Sequence, residues 1–210
     1  MKVYVIRHGE SEGNAQRRHS GWAPFELTEK GRAQAEESGK AVRDIPFDRI
    51  FVSDLIRTQQ TAAILFPDRV ADFELRDKIR EYNSGWVVGH KFDDLTAELG
   101  EKYTSCRANG DFTPLGGEDP DHFVARVGEF FKELEAIAQE NGDEKPLNVA
   151  VVAHAGVLRC IGQLVAGAPY RKNIWANENC SINVLEYKGG KWRVLLWNYA
   201  PALLSMRPEV

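Results

Sequence analysis

Two near-continuous apolar runs, Val3 to Ile6 and Leu147 to Ala153 (broken only by Asn148), constrain this chain more than any other feature. A strand exposed on one face alternates apolar and polar residues, whereas a strand covered on both faces does not. Both runs therefore belong inside a sheet packed between helices. Each also delivers a histidine to its end: Arg7-His8 follows the first, and His154 follows the second.

The segments between them alternate in character. Thr28 is placed to cap a helix through Ala33, Ala35, Ala41 and Val42, and Asp48 to Val52 reads as a second strand. Ser53 or Asp54 then caps a helix from Leu55 to Phe66 that Pro67 stops. Phe73 and Leu75 mark a weaker third strand. From Pro120, Phe123, Val127, Phe130, Phe131, Leu134, Ile137 and Ala138 form a stripe at helical spacing that must face the sheet, and Asn141, Gly142 and Pro146 end that helix. A further helix runs from Gly156 to about Val165. Ser181 to Tyr187 and Trp192 to Trp197 read as a hairpin joined across Lys188 to Lys191.

Strands alternating with helices predict an α/β fold, with a mostly parallel central sheet, helices on both faces and binding groups at the strand ends. With 210 residues, 43% of them hydrophobic, one domain spanning 1–210 is the expectation. Residues 83–117, rich in Gly and polar residues and without a clean period, read as a variable insertion above the sheet.

Three strand ends carry groups suited to phosphate: Arg7-His8-Gly9-Glu10, the Ser53 to Arg57 turn, and Ala153-His154-Ala155-Gly156. Guanidinium forks match phosphate oxygens and compensate their charge. A neutral imidazole attacks phosphorus if its other nitrogen donates to a fixed acceptor. The net charge of -4 gives no broad attraction to nucleic acid or anionic membrane, and no segment has the length of a membrane span. The three cysteines have no metal or redox spacing and read as reduced thiols. His19, His90 and His122 fit no ligand pattern and read as surface or structural residues, so neither a metal nor a cofactor is expected. A cytoplasmic location is the expectation. There is no nucleotide P-loop and no Cys placed six residues before an Arg, which leaves His8 as the candidate nucleophile.

The run Arg7-His8-Gly9-Glu10-Ser11-Glu12-Gly13-Asn14 resembles the signature of the histidine phosphatase superfamily, also called phosphoglycerate mutase-like. The resemblance continues, in the family order, through Ser20-Gly21-Trp22, Leu27 to Gly31, Ser53 to Arg57, Glu81 with Gly85 and Gly89, Gly117-Glu118, and Val151 to Arg159. Pro24 and Val88 depart from it. It implies a three-layer sandwich in which His8 is the nucleophile, while Arg7, Asn14, Arg57 and His154 bind the phosphoryl group. Glu81 is implied as the general acid and base, and Glu10 as an ordering residue of the loop.

The reaction expected is hydrolysis of a small phosphorylated metabolite through a phosphohistidine. Ser20, Gly21 and Trp22, with the insertion and the loop around Arg17 and Arg18, are the expected readers of its alcohol. A cofactor-dependent phosphoglycerate mutase and a non-catalytic phosphate-binding module are the alternatives. Against the mutase, Tyr82 follows Glu81 where that branch has a cation, and the insertion has only isolated Arg107, so no site for a second anion is expected.

Overall fold

A computed structural model describes residues 1–142, 146–168 and 175–205. The chain runs β1 (Lys2–Arg7), α1 (Glu12–Ala15), α2 (Glu29–Val42), β2 (Arg49–Ser53), α3 (Ile56–Leu65) and β3 (Phe73–Arg76). It continues through α4 (Phe92–Leu99), α5 (Glu101–Asn109), α6 (Pro120–Asn141), β4 (Asn148–Ala153) and α7 (Ala155–Ala166). β5 (Ile182–Lys188), β6 (Lys191–Tyr199) and α8 (Pro201–Ser205) complete it.

The six strands form one sheet in the order β3-β2-β4-β1-β5-β6. The first four run parallel, and the hairpin β5–β6 adds antiparallel to β1. The mostly parallel three-layer arrangement expected from the apolar runs is the one found. Alternate side chains of each central strand enter opposite cores, as the period of two in a pleated strand requires. Val3, Val5, Phe51, Val149 and Val151 pack on Phe123, Val127, Phe130 and Leu134 of α6 and on Val157 and Ile161 of α7. Ile6, Ile50, Val52, Ala150 and Val152 pack on the other side against Val42, Ala62, Leu65 and Phe66. Burial of each large apolar side chain contributes roughly 1.5–3 kcal/mol before the entropy of ordering it.

Two details differ from the sequence reading. Neither Ser53 nor Asp54 caps α3: the N-cap is Leu55, with no side-chain cap bond. Ser53 Oγ lies instead 2.9 Å from His154 Nε2, and Asp54 is paired with Arg80. Both polar groups are committed to tertiary partners and are unavailable to the helix. Residues 83–117 are also more ordered in plan than their sequence suggests, holding α4, α5 and a small core of Val87, Leu95, Tyr103, Cys106, Phe112 and Leu115. Helices of 8 and 9 residues are too short to display a repeat.

The loop after β1 crosses the start of α2 at a glycine contact. A Cβ on Gly31 would lie 2.0 Å from the Glu10 carbonyl oxygen, and one on Gly9 would lie 2.4 Å from the Gly31 carbonyl oxygen. Helix propensity alone favours alanine at position 31 by about 1 kcal/mol. The overlap is with backbone and cannot be relieved by a rotamer change, so the clash wins. Gly31→Ala is expected to lower the urea-unfolding free energy by about 1–3 kcal/mol and to displace the His8 loop, measurable as a lower unfolding midpoint. A midpoint at or above that of wild type would show that this contact is loose.

Candidate active site

Strand register assembles the site. β1 and β4 pair in parallel with Arg7 opposite Ala153, and β2 pairs with β4 so that Val52 lies opposite Val152. The next residues along the two central strands are His8 and His154, whose ring centroids are 5.2 Å apart with Ser53 alongside. Backbone bonds hold His8 on several sides: its N–H donates to Ala153 O at 3.0 Å, and its carbonyl accepts from Asn179 Nδ2 at 3.1 Å. Thr61 Oγ1 accepts from the next amide, Gly9 N, at 3.1 Å.

His8 is 3% exposed, and its Nδ1 lies 2.7 Å from Gly9 O. A carbonyl only accepts, so Nδ1 carries the proton. Burial, then the Arg57 and Arg7 guanidiniums, hold the His8 pKa well below the usual 6.5 and keep the ring neutral. A neutral ring with its proton on Nδ1 leaves a lone pair on Nε2, the form a nucleophile requires.

Arg57 is fully buried. It donates from Nη2 to Gly21 O at 2.8 Å and from Nη1 to Ala23 O at 3.2 Å, and burial pushes its pKa down to about 10. Arg7 donates to Asn177 O at 2.5 Å. Nε of both arginines and Nδ1 of His154 are buried without a hydrogen-bond partner among the described residues. Three donor-capable atoms left unmatched where His8 lies suit an anion with several oxygens.

Glu81 is held by two backbone amides. Its Oε1 accepts from Tyr82 N at 3.0 Å and its Oε2 from Gly156 N, in the first turn of α7, at 3.3 Å. A Cβ on Gly156 would meet Glu81 Oε1 at 2.2 Å, so glycine is what allows the carboxylate this close to the helix start. The Glu81 carbonyl accepts from Arg126 Nη2 at 3.0 Å, and Arg126 is itself clamped at 2.7 Å by buried Glu118, which also accepts from Asn83 N. Glu118, suggested by its place before the long helix, is therefore a brace for the Glu81 segment. Asn14 closes a capping box with Ser11 at the start of α1, and Glu10 accepts from Thr28 and Lys30, tying the loop to α2.

A cavity of about 450 Å³ opens over these groups, lined by Arg7, Asn14, Ser20, Gly21, Glu81 and Gly156 together with Tyr82, Phe92 and Phe112 from the region of the insertion. Trp22 follows the lining residues Ser20 and Gly21. Its Nε1 donates to the Glu81 carbonyl at 2.7 Å while Arg80 stacks on its ring at 4.8 Å, so it braces the Glu81 segment. His19, read from sequence as a surface or structural residue, is buried, lines the cavity and lies 2.6 Å from the Tyr103 hydroxyl, joining the loop after β1 to α5. Arg18, of the loop expected to read the alcohol, and Arg159 also line the cavity. For Arg159 a signal existed, since residues 155 and 159 lie one turn apart on a helix whose start carries His154.

His8, His154 and His19 share one consequence. Burial is the first cause in lowering each pKa below 6.5, well below for the first two and to about 4 for His19. Unfolding in mild acid therefore takes up protons that the folded state refuses. Their stabilising contribution is fully present above about pH 6.5 and is lost as pH falls from there toward the folded values, at up to about 1.4 kcal/mol per pH unit and group. The urea midpoint is expected to fall between pH 7 and pH 5, and to fall less steeply in His19→Phe. Midpoints independent of pH in this window would contradict the buried neutral state.

The chain is similar to several known proteins. Over 204 residues the chain is 31% identical to the "Probable phosphoglycerate mutase GpmB" of Salmonella paratyphi A, covering 94% of this chain and 90% of that one. Over 160 residues it is 34% identical to the adenosylcobalamin/α-ribazole phosphatase of Salmonella typhimurium, covering 75% and 76%. The crystal structure of the α-ribazole phosphatase from Shigella flexneri superposes with a TM-score of 0.86 at 26% identity, over 95% of this chain and 97% of that one. A mycobacterial glucosyl-3-phosphoglycerate phosphatase complexed with VO3 superposes with a TM-score of 0.78 at 25% identity, over 94% and 98%. Residues 3–200 match the family model for branch 1, and the chain belongs to the histidine phosphatase superfamily.

Proposed function

We propose that this protein is a phosphatase that hydrolyses small phosphomonoesters through a phosphohistidine on His8. The observation that carries the reading is the state of His8: a buried neutral ring, its proton fixed on Nδ1 by Gly9 O, under the charges of Arg7 and Arg57. Nε2 attacks phosphorus, the P–N bond forms and the P–O bond to the alcohol breaks. The Gly9 carbonyl stays on Nδ1–H and stabilises the cationic character that phosphorylation gives the ring. Arg7 and Arg57 meet the charge on the phosphoryl oxygens with donors already in place, in a buried setting where such donors act strongly. With Ser53 donating its hydroxyl to Nε2 of His154, Nδ1–H of that ring is free to donate to the same oxygens. Asn14, at the first turn after the loop, adds a polar group to this rim.

Glu81 works on the proton. In its protonated form it gives a proton to the departing alkoxide, and as carboxylate it takes one from the water that attacks phosphohistidine, releasing inorganic phosphate and restoring neutral His8. The names of the α-ribazole and glucosyl-3-phosphoglycerate phosphatases support hydrolysis. The name of the Salmonella mutase favours a second reading, in which the phosphoryl group returns to a bound product; that reaction yields an isomeric ester in place of inorganic phosphate.

Leaving-group chemistry tests the role of Glu81. An alkoxide must be protonated as the bond breaks, whereas nitrophenolate leaves unaided. Glu81→Gln is expected to slow single-turnover phosphorylation by alkyl phosphates at least a hundredfold more than by nitrophenyl phosphate, a margin on the order of a general-acid contribution. With nitrophenyl phosphate the variant is expected to show a burst followed by slow turnover, because water lacks its base. Equal slowing of both substrates with no burst would reduce Glu81 to a binding or structural residue.

A further inference from the structure

The loop that leads into β5 holds three residues of the phosphoryl site, Arg7, His8 and Asn14, without supplying any of them. Its backbone holds Arg7 twice: Asn177 O accepts from Arg7 Nη1 at 2.5 Å, and Ser181 O accepts from Arg7 N at 3.1 Å. The loop is itself anchored, since Ser38 Oγ of α2 donates to the Cys180 carbonyl at 2.8 Å and Ser181 N donates to Glu178 O at 3.0 Å. Cys180 is buried with φ 55°, a left-handed conformation uncommon outside glycine. At this bend two donors from consecutive residues meet one acceptor. The His8 carbonyl accepts from Cys180 N at 3.3 Å and from Asn179 Nδ2 at 3.1 Å.

The Asn179 carboxamide also reaches Asn14 Oδ1, at 3.5 Å. The His8 carbonyl only accepts, so the end of Asn179 that faces it is the NH2, whose two hydrogens serve the two oxygens. The same reasoning orients Asn14. Ser11 N, which only donates, lies 3.1 Å from Asn14 Oδ1, so that end of Asn14 is the oxygen. A half-turn of the Asn14 amide would set its NH2 against both Ser11 N–H and the Asn179 NH2, donor against donor. Asn14 lines the cavity, and its Nδ2 is the end left free to donate there.

We propose that Asn179 is a positioning residue for phosphoryl transfer: it ties the backbone of the nucleophile to the carboxamide of Asn14, so that Nε2 of His8 and Nδ2 of Asn14 address the same phosphoryl group. This deepens the phosphatase reading and rests on it for the transfer step. Asn179 is absent from the cavity lining and acts through its two partners. Loss of its side chain leaves His8 with its bonds to Ala153 O and Cys180 N but cuts the link to Asn14. The effect falls on the relation between the two residues, where a misplacement of about 1 Å can cost on the order of a hundredfold in rate. Asn179 lies 171 positions from His8 and 165 from Asn14, and the antiparallel pairing of β5 with β1 brings the loop to them.

The test is a double-mutant cycle over wild type, Asn179→Ala, Asn14→Ala and the double variant, read as single-turnover phosphorylation by nitrophenyl phosphate. Urea midpoints are measured alongside, so that rates are compared between folded proteins. Asn179→Ala is expected to slow the step about tenfold or more. In the Asn14→Ala background the same substitution is expected to cost at least about threefold less, because no carboxamide is left to orient. Asn179→Asp keeps the shape of the side chain and sets an acceptor against two oxygens, so it is expected to be at least as slow as Asn179→Ala. A residue that merely fills space gives additive losses and an aspartate variant close to wild type. Either result would overturn the proposal.

A spectroscopic readout separates this inference from the catalytic one. In enzyme whose asparagines carry nitrogen-15, orthophosphate is expected to shift the side-chain NH2 signal of Asn14, identified by its absence from Asn14→Ala, and the shift is expected to diminish in Asn179→Asp. That pattern without turnover of any ester by the wild type means that the phosphatase reading fails and the link from Asn179 to Asn14 stands. Turnover through phosphohistidine, with an Asn14 response unaltered in Asn179→Asp, overturns the positioning role alone.

Discussion

The in-register parallel pairing of β1 with β4 is the interaction on which the rest of the site depends. It sets Arg7 opposite Ala153, so that the chain leaves both strands at the same height and His8 and His154 emerge side by side. A slip of β1 by one residue would turn Val3 and Val5 away from the α6–α7 core and carry the two histidines to opposite faces. The apolar packing that stabilises the sheet is thus also what aligns the chemistry. Because Val52 lies opposite Val152, the same constraint reaches β2, and Ser53 arrives beside His154.

Burying these groups is unfavourable in isolation, and the surrounding contacts show how the fold tolerates it. Arg57 keeps its charge with two backbone carbonyls, Gly21 O and Ala23 O, as partners for its Nη groups. Those carbonyls flank Trp22, whose ring meets the Glu81 carbonyl, so Arg57 also fixes the loop that bears on the Glu81 segment. The Glu118–Arg126 pair makes the corresponding brace from α6. Burial, and then the neighbouring cations, penalise the charged form of His8, and the unmatched donors that remain suit an anion of several oxygens.

Much of this could be read from the sequence, for identifiable physical reasons. A strand covered on both faces leaves an apolar run, and β1, β2 and β4 all did; α6, at 22 residues, is long enough to display its stripe. The positions of His8, Arg57, Glu81 and His154 at strand ends and turns followed from those runs together with the family resemblance. What could not be read depends on tertiary partners. Ser53 looked like a helix cap because its bond to His154, 101 positions away, is invisible locally. The insertion concealed two helices because its small core is assembled from elements too short to show a period.

The central claim is that neutral His8, with its lone pair on Nε2, accepts the phosphoryl group. The most direct measurement is a millisecond alkaline quench of enzyme mixed with radiolabelled phosphomonoester, followed by peptide mapping of the label. The account predicts an acid-labile, alkali-stable phosphoryl group on Nε2 of His8 that forms and decays at rates compatible with turnover, and no label in His8→Ala. Label on another residue, or undiminished turnover in His8→Ala, would contradict it.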